Sequence, residues 1–400
     1  DSESCDLLLL QSAPKVIAFQ RKKLLIAALR GRGHVLIETA LPEAQSILRE
    51  RLLRRPSQAV PLRYFGYAAH AQWLVERYAA KVVLNDRNGS LYSPFLRLAL
   101  NARQRLLVHL AHATTVEHSR RLGMNDYDYY FLFGQSSLEA LQARALRFGT
   151  STAVLAGSHM IDNAFDLPPA DPARRVLLVL GVGPDKEKEA GYQRTYELLR
   201  DWAAENPAYQ VLIKAHPRSR VPFWQQQALT LNNIEVLPRE CGLAEALARA
   251  SVVVNIMSNA VIEAGLARRP VVHVNASGEE DIFAQARFLG ACVGDLSALT
   301  VRLEEITATY PRSVAQAQRF AEFHLAHGVE GLSNTLRLLE ELLMQLRADI
   351  LHRCDVISGD TRPPPGGGAP PPPPPAPPPP PLGRPTPPKI NTTPAMGTGS

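Results

Sequence analysis

The sequence predicts an α/β protein made of two parallel-sheet halves that face one another across a cleft. Three observations carry the prediction. Strand-length apolar runs alternate with longer stretches of helical spacing from residue 6 to residue 274, the pattern of parallel strands joined by crossover helices. The alternation stops once, at the polar, proline-rich join Phe165-Asp166-Leu167-Pro168-Pro169-Ala170-Asp171-Pro172, and then restarts. Finally, 400 residues with 46% hydrophobic content can fill two ordinary cores.

In the first half, residues 6–12 read as a strand and 16–29 as a helix ended by Gly31 and Gly33. Residues 34–39 form the next strand, and Pro42 opens another helix as a good first-turn residue. The strand 80–84 runs into the turn Asn85-Asp86-Arg87-Asn88-Gly89, and the strand 106–110 ends in Ala111-His112-Ala113-Thr114-Thr115. Residues 129–133 are again a strand, followed by Gly134 and a helix capped by Ser136 or Ser137. The strand 153–156 closes the series at Gly157-Ser158.

After the join, residues 175–180, 211–213, 234–237, 251–255 and 270–274 read as strands, with helices over 191–204, 243–249 and 259–267. Each half is therefore Rossmann-like. The expected domains are 1–165 and 175–312, then a closing helical segment over 313–350. That segment carries Leu336, Leu339, Leu342, Leu343 and Leu346 on one face and can pack back across the junction. Residues 355–400 read as a disordered tail, because 362–388 is nearly all Pro and Gly.

Composition excludes several classes. Cys5, Cys241, Cys292 and Cys354 are scattered without a C-x-x-C pair or a close His partner, which argues against zinc or a disulfide scaffold and for a reducing compartment. No metal or cofactor is expected. No apolar run approaches the roughly 20 residues of a membrane span, and the acidic start is not that of a signal peptide. Asp1 in place of a methionine points to a processed chain or an excerpt of a longer one. The +6 charge suits an anionic small molecule or lipid surface, while the lack of a basic run with interleaved aromatics speaks against nucleic acid. A cytoplasmic protein, peripheral to a membrane at most, is the expectation.

Three stretches of the second half sit at strand ends on what should be one rim, where open parallel sheets bind ligands. Gly181-Val182-Gly183-Pro184-Asp185-Lys186-Glu187 allows a tight turn, although it lacks the third glycine of a dinucleotide fingerprint and also reads as a solvated loop. Lys214-Ala215-His216-Pro217-Arg218-Ser219 ends the strand 211–213 in cationic and hydroxyl groups, each able to bond a phosphate oxygen. The plainer alternative is that Pro217 only stops the strand and His216 is a surface histidine. In Asn255-Ile256-Met257-Ser258-Asn259, strand becomes helix, and Glu263 follows about one turn in among small apolar residues, where it can accept from a ribose or a base edge.

Lys-x-His-Pro, followed by Ser-Asn-Ala-x-x-Glu-Ala and later Pro-Val, resembles the donor half of bacterial GT-B transferases that use CMP- or CDP-activated donors. Within these the order from Val176 to Ser219 is most similar to the retaining β-Kdo transferases of O-antigen and capsule assembly. Residues 108–114 and 126–134 resemble the His-loop and Asp-Tyr-strand segments of the teichoic and capsule transferases, so the likeness covers about residues 80 to 275. The resemblance implies a CMP-Kdo-dependent glycosyltransferase of lipopolysaccharide or capsule assembly, acting on a lipid-linked saccharide. It implies that His216 and Ser258, with Lys214, Arg218, Ser219 and Asn259, grip the cytidylate phosphate and Glu263 the nucleoside. Asp185 would be the carboxylate nucleophile of a double displacement, with Glu187 or Glu189 as alternatives.

The acceptor base is then sought on the amino-terminal rim. His112, just past a strand end, leads; Glu117 is a further candidate, and Asp86 and Arg87 are acceptor contacts or turn formers. His109 reads as a core histidine, and Asp126 and Asp128 as capping or packing positions. Other readings are a CDP-glycerol or CDP-ribitol phosphotransferase, a CMP-sialic acid-dependent transferase, and a non-catalytic binding module joined to further domains through the tail.

Overall fold

The computed structural model describes residues 2–114, 123–144 and 148–344 and the backbone of 354–358. The first half runs β1 (Glu3–Gln11), α1 (Pro14–Ile17), α2 (Lys23–Gly31), β2 (Leu36–Ala40), α3 (Ala44–Arg49), α4 (Phe65–Arg77), β3 (Tyr78–Asn85), α5 (Tyr92–Asn101), β4 (Leu106–Leu110), β5 (Tyr129–Leu132), α6 (Gln135–Gln142) and β6 (Thr150–Leu155). The second runs β7 (Val176–Leu180), α7 (Pro184–Glu187), α8 (Ala190–Glu205), β8 (Gln210–Lys214), α9 (Pro222–Ala228), β9 (Ile234–Val236), α10 (Leu243–Arg249), β10 (Val252–Asn255), α11 (Val261–Leu266) and β11 (Val271–His273). Then come α12 (Gln285–Leu289), α13 (Leu296–Ala308), α14 (Tyr310–His324), α15 (Gly331–Leu343) and β12 (Cys354–Ser358).

These strands make two sheets, as expected: one ordered β12-β6-β5-β4-β3-β1-β2 and one ordered β11-β10-β7-β8-β9. All pairings are parallel except that of β12 with β6. The central strand β7 reads Val-Leu-Leu-Val-Leu and is buried at every position, because helices cover both faces of a parallel sheet. α8 shows the complementary pattern, burying Tyr192, Thr195, Tyr196, Leu199, Trp202 and Ala203 at helical spacing.

Four expectations need correction. The helix expected over 16–29 is two helices, separated by a turn in which Gln20 takes φ 49°; the turn drops Lys22 into the interior, 2% exposed. The closing helical segment expected over 313–350 breaks between α14 and α15, where His327 and Gly328 both have positive φ, and its last residues, 345–350, lie outside the described residues. α6 starts after Gly134 with no side-chain cap, and Ser136 is spent on another partner. The tail does not begin at residue 355: the backbone of 354–358 pairs with β6 and covers its open edge. Residues 359–400, the remainder of the expected tail, lie outside the described residues.

Both sheets belong to one unit spanning residues 1–360, and α14 joins them. It lies against α11 and α12 of the second half and α6 of the first. Close approach to α11 requires Gly265, where a Cβ would stand 2.6 Å from the carbonyl oxygen of Ala317. At its end His324 is buried, with Nδ1 2.8 Å from Ser136 Oγ and Nε2 2.7 Å from the carbonyl oxygen of Phe283. No helix among the described residues is long and apolar enough to cross a membrane.

Candidate functional site

In the second sheet the chain steps outward from β7 through β8 to β9, then returns to place β10 on the other side of β7. The crevice beyond the carboxyl ends of β7 and β10 is thus a topological switch point, the usual ligand position in such sheets. A cavity of about 630 Å³ opens there. Its walls come from the three stretches picked out in the sequence: Gly181 to Gly183 after β7, Lys214 to Pro217 after β8, and Met257 to Ala260 after β10. Gly181 packs closely on the next segment: a Cβ there would lie 3.0 Å from both the His216 backbone nitrogen and the Lys214 carbonyl oxygen, tighter than ordinary contact.

Lys214, His216, Ser258 and Asn259 all line this cavity. The orientation of His216 is set by its neighbour: the backbone N–H of Arg218 donates to Nδ1 at 3.2 Å. A neutral ring that accepts at Nδ1 carries its hydrogen on Nε2, which is then a donor. Ser258 is similarly pinned. Its N–H donates to Asn255 Oδ1 (3.0 Å), and its Oγ accepts from the N–H of Ala260 (3.2 Å), so its hydroxyl hydrogen is free to be donated. Three further lining groups do not stand out in the sequence. Lys186 donates to Glu279 at 2.8 Å, and the Tyr192 hydroxyl donates to the same carboxylate. Burial raises the Glu279 carboxyl, but these two hydrogen bonds outweigh it and hold it below its ordinary value. Ile282 adds an apolar edge.

Glu263 sits in the first turn of α11, one turn past the Ser258–Ala260 wall. Its Oε2 is buried without a hydrogen-bond partner, and burial pushes its carboxyl above the ordinary value. A buried acceptor left empty by the protein calls for a donor from elsewhere.

The other expected donor-side residues fall outside the cavity. Ser219 is a correction: it is 2% exposed, and its hydroxyl donates to Glu187 Oε2 at 2.6 Å. Arg218 is exposed and lines a neighbouring cavity with Ser219. Glu187 is 7% exposed, and its other oxygen accepts from Tyr196 at 3.2 Å, so both oxygens are occupied and it is poorly suited to nucleophilic attack. Glu189 is exposed and lies 3.5 Å from Lys186. Asp185 is an exposed residue of the first turn of α7, between the lining residues Gly183 and Lys186 but not itself in the wall.

The first sheet has its own switch point, between β1 and β3. Asp86, immediately after β3, forms an ion pair with Lys22, and the two side chains are 12% and 2% exposed. This buried lysine is invisible to a reading that places it inside one continuous surface helix. His109 is the core histidine expected: fully buried, stacked on Tyr127 at 4.1 Å, and contacting Asn85 Oδ1 (2.6 Å) and Asn88 Oδ1 (2.9 Å). His159, in the loop after β6, is also buried, and its Nε2 has no partner. Burial, helped by the Lys22 charge, pulls its pKa down to about 3. His112 and Arg87 are exposed on the same rim, and Glu117 lies outside the described residues. Asp126 and Asp128 are structural, held by Arg97 at 2.8 and 3.2 Å. Among the described residues no group of three or more His, Cys, Asp or Glu side chains is arranged to hold a metal ion.

No protein-family model matches the chain, and no curated protein matches it in sequence. Its fold does have counterparts among solved structures. A Listeria monocytogenes protein assigned as a UDP-N-acetylglucosamine 2-epimerase superposes with a TM-score of 0.51 at 12% identity, over 85% of this chain and 97% of its own. The UDP-GlcNAc 2-epimerase of Methanocaldococcus jannaschii gives 0.50 at 11% identity, over 84% and 99%. MurG of Acinetobacter baumannii aligns more loosely, with a TM-score of 0.45 and 15% identity over 84% and 99%. The likeness is one of fold: two parallel-sheet, Rossmann-like halves of GT-B type. None of the three carries a CMP- or Kdo-dependent name.

Proposed function

We propose that the chain is a nucleotide-sugar-dependent glycosyltransferase whose donor sits at the switch point of the five-stranded sheet. One observation carries the reading. The Glu263 Oε2, buried and without a hydrogen-bond partner, stands one helical turn beyond a cavity walled by Lys214, His216 and Ser258. A nucleoside phosphate supplies what both places lack, ribose hydroxyls to donate to Glu263 and phosphate oxygens to accept from the wall.

The chemistry follows from those roles. As the bond between the anomeric carbon and the phosphate oxygen breaks, negative charge grows on the leaving phosphate. The Nε2–H of His216, the Lys214 ammonium and the Ser258 hydroxyl are the wall's donors for it, and bonds that strengthen as this charge grows favour the transition state over the ground state. The acceptor hydroxyl forms the new bond and gives its proton to a base on the opposite rim, for which Asp86 and His112 are the candidates. With configuration retained, a carboxylate attacks first and the acceptor displaces it; Asp185 is the free acid beside the wall for that step.

The finer reading takes Kdo, or a related 2-keto sugar acid, from its CMP donor to a lipid-linked saccharide of lipopolysaccharide or capsule assembly. The Lys-x-His-Pro and Ser-Asn…Glu motifs support it. The enzyme would then work in the cytoplasm, against the inner face of the membrane. A second reading, chemistry on a UDP-linked amino sugar, is favoured by the names of the two fold counterparts.

A donor screen separates these. CMP-Kdo, CMP-sialate, CDP-glycerol and UDP-GlcNAc are each supplied, and nucleotide release and sugar isomerisation are followed. CMP release from CMP-Kdo is the expected result. Isomerised UDP-sugar without nucleotide release favours the second reading, and failure to bind CMP, CDP or UDP by calorimetry sinks both.

A further inference from the structure

Beside the nucleotide cavity, on the other side of the same wall, lies a second cavity of about 290 Å³. We propose that it binds a small phosphate monoester. Lys188, Arg218 and Arg220 line it, and none of them has a carboxylate within ion-pair distance among the described residues. The single acid in the wall, Glu187, already accepts from Ser219 and Tyr196 through its two oxygens. Three cations therefore surround a space whose one carboxylate is engaged elsewhere.

The rest of the lining selects the ligand. Tyr196 and Phe223, with ring centroids 5.7 Å apart, give it an aromatic floor, so a bare inorganic ion would leave apolar surface uncovered. Three cationic groups suit a dianion with three terminal oxygens better than a carboxylate with two, and guanidinium groups match phosphate through paired N–H donors. The volume, at the low end for ligand pockets, suits a monoester of a small alcohol.

The wall is built to hold one shape. Val221, 4% exposed, is kept at φ 42° and ψ 54°, a conformation that β-branched residues rarely adopt. Its N–H donates to Ser219 Oγ at 3.0 Å, while the Ser219 hydroxyl donates to Glu187. This chain of bonds ties the segment after β7 to the segment after β8. Those two segments are also the floor of the nucleotide cavity, so an occupant of the smaller cavity touches the back of the nucleotide wall.

The test is calorimetry of the full chain with glycerol 3-phosphate, with and without saturating CMP or UDP, beside flotation with phosphatidylcholine vesicles containing phosphatidic acid. Glycerol 3-phosphate should bind once per chain whether or not nucleotide is present. Lys188→Gln and Arg220→Gln, both exposed side chains, should each weaken it by about tenfold or more without changing the melting temperature. Binding of the vesicles alone, lost in the same variants, identifies the source of the phosphate as a lipid headgroup; binding in solution identifies a free metabolite. Competition by nucleotide, equal affinity in the two variants, or no binding in either arm overturns the proposal. Because the titration is read without nucleotide as well, its outcome stands apart from that of the donor screen.

Discussion

The backbone N–H of Arg218 donates to Nδ1 of His216, a residue of the cavity wall, and so leaves the opposite ring nitrogen of the neutral ring as the donor. The hydrogen bond closes within three residues, so Pro217, three positions past the end of β8, shapes the turn that holds the imidazole.

Replacing His216 tests that relationship. His216→Ala should raise the donor KM and lower kcat together, with kcat/KM falling about tenfold to a hundredfold, the loss of a hydrogen bond to a charged group. Steady-state kinetics on whichever donor the screen identifies would decide it. Wild-type kcat/KM in this variant removes the residue from the site.

Ser219 should behave differently. Ser219→Ala strips Glu187 of one hydrogen bond and leaves the Val221 N–H without its acceptor. The expected cost is about 1–3 kcal/mol of stability, seen as a lower urea midpoint, with nucleotide affinity moving far less than in His216→Ala. The reverse pattern would return Ser219 to the nucleotide wall.

The Lys22–Asp86 pair is nearly dehydrated, so breaking it should cost more than a surface ion pair. Asp86→Leu leaves a buried ammonium uncompensated and should destabilise by about 3–5 kcal/mol, while Lys22→Met combined with Asp86→Leu should recover most of the loss. Equal destabilisation in the single and double variants would show that the pair is not coupled.

Acid should unfold this protein earlier than its carboxylates alone would suggest. Burial holds His70, His109, His159 and His324 below the ordinary histidine value of 6.5, and His159 down at about 3. Below pH 6.5 the unfolded chain takes up protons that the folded chain refuses. Their contribution is therefore fully present above pH 6.5; that of His159 is lost progressively from there toward about pH 3, by up to about 1.4 kcal/mol per pH unit for each histidine. Urea midpoints at pH 7.5, 6 and 5 should fall, and His159→Leu should flatten the slope by one histidine's share. An unchanged slope would falsify the assignment for His159.

The two-sheet fold and the wall of the larger cavity are legible in sequence for the same reason. The apolar stretches 176–180, 211–213 and 252–254 form β7 and the middles of β8 and β10, so the residues that follow them, from Gly181, from Lys214 and from Asn255 on to Ser258, emerge at one rim. Glu263 is legible because it stands among Val, Ile, Ala and Gly, where one of its oxygens is buried. What stays hidden depends on contacts between distant segments. Lys22 is separated from Asp86 by 64 positions and Tyr192 from Glu279 by 87, and no local pattern announces either pair. Ser219 misleads because a hydroxyl after Lys-x-His-Pro looks like a phosphate ligand until Glu187 is found beside it.

One ring connects the halves at the far end of α14. His324 meets Ser136 from the first and the Phe283 carbonyl from the second, and its two nitrogens have no further hydrogen-bonding capacity. Sliding one half past the other would leave a buried ring nitrogen without its partner, at a cost of about 1–3 kcal/mol.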